Sequence, residues 1–272
     1  MLTAAVLTGL GFTACGNDDD SEDVTTENGD FGPTGSVSAV DPSKVFTSGV
    51  PEQAGSYQTE VDQTGRVASV SSSYETMSFS YGAASYKGQT YDMMMTMTQN
   101  VRYSDDNDVF YANLNPQGFI KYVLQVKDDG VDKWWFSYNA AGQLIRMKRT
   151  EGDNEVTTIK YTDGDITSVS MTSDDSDNAY TCTISYGDEP ILNKGGLMLF
   201  DETFSIDMDE MYPAYLAGLL GYATKHLPVK NVSREDGRAY TETFEWTLND
   251  KGLPTSMTAN DGYGSRMTTF TW

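Results

Sequence analysis

The chain has 272 residues, with 18 Lys and Arg against 40 Asp and Glu, a formal net charge of −22. Phosphate repels so acidic a surface, which excludes a general nucleic-acid binder and electrostatic docking onto anionic lipid. Hydrophobic residues make up 38% of the chain and aromatics 12%, with 17 Tyr, so a folded core is expected rather than a disordered chain.

The first element is an uncharged, mostly apolar stretch from Leu2 to Phe12. Its 11 residues fall short of the roughly 20 that a helix needs to span a bilayer. It ends in Phe12-Thr13-Ala14-Cys15. Small residues before a Cys, after a short apolar run, resemble a bacterial lipoprotein signal, in which the Cys is lipidated and becomes the first mature residue. The chain departs from that pattern in having Phe12 where Leu is usual, and in having no Lys or Arg before the apolar run. The acidic run Gly16-Asn17-Asp18-Asp19-Asp20-Ser21-Glu22-Asp23 follows at once, and it resembles the export signal of Bacteroides-type surface lipoproteins. The resemblance implies lipidation at Cys15, an outer-membrane location and exposure on the cell surface. A solvated acidic tether is the other reading of the same run. The expected organisation is a signal peptide over 1–14, a lipidated Cys and flexible acidic linker over 15–52, and a β-repeat domain over 53–272.

The body repeats one grammar: an aromatic or apolar strand, an Asn- or Asp-containing turn, a Gly, then a second strand. It runs from Tyr57 to Val70 with Asp62 and Gly65, and from Tyr111 to Val123 with Asn115 and Gly118. It recurs from Phe136 to Met147 with Asn139 and Gly142, and from Ile159 to Val169 with Asp163 and Gly164. The last copy runs from Phe244 to Met257 with Asn249 and Gly252, and a partial copy at Ile184-Ser-Tyr186-Gly187-Asp188 breaks at Pro190. Alternation buries one face of each strand, and Asn, Asp and Gly supply the turn chemistry. A hairpin alone is unstable, so successive copies must pair side by side. The expected fold is mainly β, a curled antiparallel meander of hairpin repeats.

Within that body, Met93-Met94-Met95-Thr96-Met97 reads as a strand with Met on both faces, hence buried on both. Lys133-Trp134-Trp135-Phe136-Ser137-Tyr138 reads as a strand with Trp134, Phe136 and Tyr138 on one face and Trp135 on the other. Trp134 and Trp135 are the candidate ligand-binding residues, because a planar ring facing outward stacks on a sugar; burial under both faces is the alternative. Cys182, in an alternating strand, reads as a small buried hydrophobe, and with Cys15 acylated it has no disulfide partner. Tyr212, Tyr215, Leu216, Leu219, Leu220, Ala223 and Leu227 recur at helical spacing and predict one amphipathic helix near 209–227, capped by Asp209 and stopped before Pro228.

The phrase Phe136-Ser-Tyr138-Asn139…Gly142-Gln-Leu144 looks like the Tyr-Asp repeats of Rhs-type proteins. Asn193-Lys194-Gly195-Gly196-Leu197 and Leu219-Leu220-Gly221-Tyr222…Leu227-Pro228 are similar to a family of Bacteroides-type lipoproteins of unknown function with Rhs-like β-repeats and one inserted helix. The resemblance implies a β-repeat fold in the cell envelope and carries no reaction.

Catalytic chemistry has little to build on. His226 is the one His, expected at the helix C-terminus, with no nucleophile motif near it, and zinc would need clustered His and Cys. The acidic loops Asp105-Asp106-Asn107-Asp108 and Asp174-Asp175-Ser176-Asp177-Asn178 lack calcium-loop spacing and read as solvated turns. No catalytic residue, metal or cofactor is therefore expected. The leading reading is a non-enzymatic lipoprotein that binds a glycan or an envelope protein. The rivals are a carrier holding an apolar ligand between sheet and helix, and a hydrolase built on two carboxylates.

Overall fold

The computed structural model describes residues 32–33, 35–100, 107–174 and 179–272. Cys15, the signal segment and the acidic run lie outside the described residues, as do Asp105, Asp106, Asp175 and Asp177.

The first half of the domain comprises β1 (Gln53–Ala54), β2 (Tyr57–Val61), β3 (Val67–Ser71), β4 (Glu75–Ser80), β5 (Ala84–Tyr86), β6 (Gln89–Tyr91), β7 (Met93–Gln99), β8 (Asn107–Leu114), β9 (Ile120–Val126) and β10 (Val131–Tyr138). The second half comprises β11 (Leu144–Arg149), β12 (Val156–Thr162), β13 (Asp165–Thr172), β14 (Tyr180–Ser185), β15 (Ile191–Leu192), β16 (His226–Leu227), β17 (Lys230–Glu235), β18 (Arg238–Leu248), β19 (Pro254–Asn260) and β20 (Ser265–Thr271). Sixteen of these strands form one closed antiparallel barrel, with β5–β6 and β15–β16 as separate two-stranded pairs. The seam is short: Gln53 and Ala54 of β1 pair with Thr271 and Phe270 of β20. The mainly β expectation holds, but a closed barrel replaces the curled meander of hairpin repeats. Two residues of β1 are too few to read as a strand from sequence, yet they remove both sheet edges.

The repeated turn grammar works as hydrogen bonding. Asn139 Oδ1 accepts from Ala141 N and Gln143 N, each at 3.0 Å. Asn115 and Asn249 accept in the same way from the residues two and four positions on. The residue in between is Gly142, with φ +80, and an added Cβ there would stand 2.7 Å from the Tyr222 ring. These turns gather at one end of the barrel, here the turn end. The opposite end, where Arg149, Lys127 and Tyr57 lie, is the charged end.

Sixteen strands enclose more space than their own side chains fill. The chain between β14 and β17 occupies that space. It enters at the turn end, forms the short helix Phe200–Phe204 near the charged end, then the turn Asp209–Met211 and the helix Tyr212–Leu216, and returns. Leu199, Phe200, Ile206, Met211, Tyr215 and Leu219 are all buried. On the wall, Met77, Met95, Phe110, Trp134 and Met257 face them, also buried. Tyr215 donates to Gly196 O at 2.5 Å, and Ile120 N donates to Leu219 O at 2.8 Å. The lumen segment is thus tied to itself and to the wall.

Three expectations are corrected. The helix expected over 209–227 is five residues long, Tyr212–Leu216, and Gly218 at φ +74 follows its C-cap Ala217. Its residues are apolar on every side because the barrel surrounds them, and periodicity alone does not distinguish that from one apolar stripe. Asp209 makes no cap there, and His226 sits on β16 rather than at a helix end. The linker does not extend to 52: Val40, Val45 and Phe46 are buried against the barrel, and Asp41 caps a 3-10 turn at Pro42–Lys44. Met94 is half-buried on the outer face while Met93, Met95 and Met97 fill the lumen, so the strand is not buried on both faces.

Candidate functional site

The wall has an apolar inside and a polar outside. On β14, Cys182 and Ile184 are buried and Thr181, Thr183 and Ser185 are exposed. On β4, Met77 and Phe79 point in while Ser78 and Ser80 are exposed. Barrels embedded in lipid show the reverse, an apolar outer band around a polar interior. On these two strands the pattern is the opposite of that band.

One outward sector is different. The hairpin β5–β6 folds back over the outside, and Tyr86 and Tyr91 meet the outward Tyr111 with ring centroids at 5.2 and 5.4 Å. Tyr122 and Trp135 pair across β9 and β10, their rings 5.8 Å apart. Lys148 Nζ lies 5.7 Å from the Trp135 ring centre. The result is an aromatic strip crossing β8, β9 and β10. Burial, then Tyr91, push the Tyr122 hydroxyl up to about 12, so it stays protonated and is a hydrogen-bond donor. Trp135 therefore lies where the alternation places it. Trp134 does not share its role: it is fully buried, its Nε1 donates to Gln125 Oε1 at 3.1 Å, and it stacks on Phe136. It is a core residue, and the ligand-binding expectation is withdrawn for it.

The charged end holds the second feature. Arg149, only 7% exposed, lies with its guanidinium over the Trp134 ring. Nε donates to Glu155 at 2.6 Å, Nη2 to Asp207 at 2.8 Å and Nη1 to Asp209 at 3.2 Å. Burial opposes its charge, but Asp207 and Glu155 outweigh burial and hold the pKa above its ordinary value. Lys127 pairs with Glu151 and, at 3.1 Å, with Asp132. Carboxylate oxygens of Glu151, Asp209 and Glu210 lie within 4.8 Å of one another. Burial first, then Asp209, push the Glu210 carboxyl up to about 7. Lys127 and Arg149 already sit on two of these three acids, so the chain's own cations answer them. These residues are far apart in sequence, which is why no motif marks them.

Beside this network, a cleft of about 280 Å³ opens between the β1–β2 turn and the lumen segment. Tyr57, Phe200 and Tyr212 supply rings, and Asp201, Glu202, Asp207 and Asp209 supply carboxylates.

The other sequence candidates are structural. Cys182 is buried, and burial raises its thiol pKa, which fits an inert core residue. His226 Nδ1 lies 2.7 Å from Asp165 Oδ2, and its backbone N donates to Asp165 Oδ1 at 2.8 Å, locking β16 to the start of β13. The space proposed for an apolar ligand between sheet and helix is filled by the side chains already named. The strip owes two of its rings, Tyr111 and Tyr122, to outward positions of the wall strands β8 and β9; Tyr86 and Tyr91 arrive with the fold-back of β5–β6, which had no sequence signal.

Two solved structures share the fold. A porin-like protein from Bacteroides uniformis aligns with a TM-score of 0.57 and 16% identity, over 79% of this chain and 89% of that one. A porin-like protein from Bacteroides vulgatus aligns with a TM-score of 0.50 and 14% identity, over 79% and 91%. No curated protein matches the chain. The Rhs reading is not supported: the matched domain is a barrel, and the Tyr-Asp phrases are its hairpin turns. Residues 59–256 match a domain of unknown function with porin-like fold, and the chain belongs to that family, DUF4595.

Proposed function

We propose that this chain is a non-catalytic binding protein of the outer membrane, held there by a lipid on Cys15, with its barrel in water and a glycan taken on the outer aromatic strip. The carrying observation is the strip itself. Tyr86, Tyr111, Tyr122 and Trp135 form a ring-lined sector on the outer wall. Flat rings of this kind bury the apolar faces of sugars, and the Tyr hydroxyls serve sugar oxygens. The polar outside of the barrel supports attachment through a lipid rather than through the wall. The porin-like fold of the Bacteroides neighbours supports the envelope as the setting.

The test is a glycan array probed with the Cys15→Ala chain, followed by Trp135→Ala on any hit. Binding that falls about tenfold in the variant, the worth of one good aromatic contact, supports the reading. A blank array, or hits indifferent to Trp135→Ala, refutes it. Fractionation of cells tests the anchor: Cys15→Ala is expected to leave the membrane fraction, and unchanged retention refutes lipid attachment there.

A further inference from the structure

The cleft at the charged end has features that the strip does not explain. Its rings form a corner: Tyr212 meets Tyr57 edge-on at 5.4 Å and Phe200 at 6.3 Å. The Tyr212 hydroxyl is buried and has no hydrogen-bond partner among the described residues. Its carboxylates differ in how they are answered. Asp207 and Asp209 are bound by Arg149. Asp201 and Glu202 form no ion pair among the described residues; Glu202 accepts only a hydroxyl, from Thr268 at 2.7 Å, while Arg266 turns to Glu242 at 2.8 Å. Burial first, then the neighbouring Asp207, raise the Asp201 pKa against the pull of Arg266, which is itself hydrogen-bonded to Glu242.

A ligand for this space must bring a cation and must also cover ring faces. Anions are repelled. Calcium would want six to eight oxygens closing around it, roughly 2.3–2.6 Å away, and one side of the cleft is aromatic. An organic ammonium ion meets both demands: its charge is drawn to the ring faces and to the carboxylates, and its carbon atoms dry the corner.

We propose that this cleft binds an organic ammonium ion, with its cationic head between the Tyr57 and Tyr212 rings and the Asp201 and Glu202 carboxylates. The site is independent of the aromatic strip, which lies on the outer wall.

Calorimetric titration of the full chain with choline chloride tests it, against 3,3-dimethylbutan-1-ol, the uncharged isostere. Choline is expected to saturate a single site, and the isostere to bind at least about tenfold more weakly. Glu202→Gln and Tyr57→Leu are each expected to weaken choline about three- to tenfold, while Trp135→Ala leaves it unchanged; urea unfolding of each variant verifies that it is folded. A second arm uses short-chain phosphatidylcholine below its micellar concentration. Tighter binding of free choline places the source in solution, and tighter binding of the phospholipid places it in a lipid headgroup; both support an ammonium site. No saturable heat from either, equal binding of the isostere, or choline binding that survives both Glu202→Gln and Tyr57→Leu overturns it.

Discussion

The two ends of the barrel are held by different physics. At the turn end, Asn115, Asn139 and Asn249 accept from the amides of their own turns, and two turns lean on the returning lumen segment: Tyr222 N donates to Gly142 O, and Lys225 N to Gly164 O. The Asn bonds are short-range in sequence, and all of these bonds are between neutral groups. At the charged end, Arg149 reaches 58 and 60 residues ahead for Asp207 and Asp209, and Lys127 reaches 24 for Glu151. The Arg149 bonds join wall to lumen segment, the Lys127 bond joins two wall loops, and all depend on ionisation. The Asn turns are therefore insensitive to pH and sensitive to backbone geometry, whereas the Arg149 and Lys127 contacts depend on charge.

The largest expected effect breaks the charged end. Arg149→Met leaves Glu155, Asp207 and Asp209 facing one another beside a buried ring, at a cost of about 3 kcal/mol in urea unfolding at neutral pH. Acidification should shrink that loss, because protonated acids no longer need the cation. A loss equal at both pH values would show that packing on Trp134, not charge, is what Arg149 contributes.

Next comes the pH response of Glu210. Its folded pKa is raised from 4.5 to about 7, so the folded state holds the proton more tightly than the unfolded chain. This contribution is fully present below the unfolded value and is lost as pH rises through about 7. Glu210→Gln is expected to remove the decline and to be more stable than the parent above that range. Denaturation midpoints across the range measure it, and a parallel decline in the variant would place the titration elsewhere.

Two substitutions sharpen the turn end. Gly142→Ala forces a side chain into φ +80 and against Tyr222, which is expected to cost about 2 kcal/mol at every pH tested. Asn139→Ala removes the acceptor for two turn amides and is expected to cost about 1 kcal/mol, again without pH dependence. A pH-dependent loss in either would contradict the division between the ends.

The same division explains what could be read from residues alone. The hairpins at 57–70, 111–123, 136–147, 159–169 and 244–257 were legible because turn chemistry and alternation are local. Closure was not, because β1 has two residues and its partner is the last strand. The lumen segment was misread as an amphipathic helix, since a segment buried all round also shows apolar residues at three- and four-residue spacing. Trp135 could be placed outward by alternation, but the hairpin that brings Tyr86 and Tyr91 to its neighbourhood gives no sign before the fold is known. Arg149 and its acids carry no spacing signal at all.

The filled lumen also governs how the protein can be made. Fourteen strands precede the segment that occupies the interior, four follow it, and the joining of Gln53 to Thr271 waits for the last residues. During synthesis the growing chain is a greasy trough with no lining, and a ribosome halted before residue 187 releases a product that cannot bury its own concave face. Truncation should give insoluble material rather than a smaller barrel, and so late and distant a zipping step makes assembly slow compared with helical proteins of the same length.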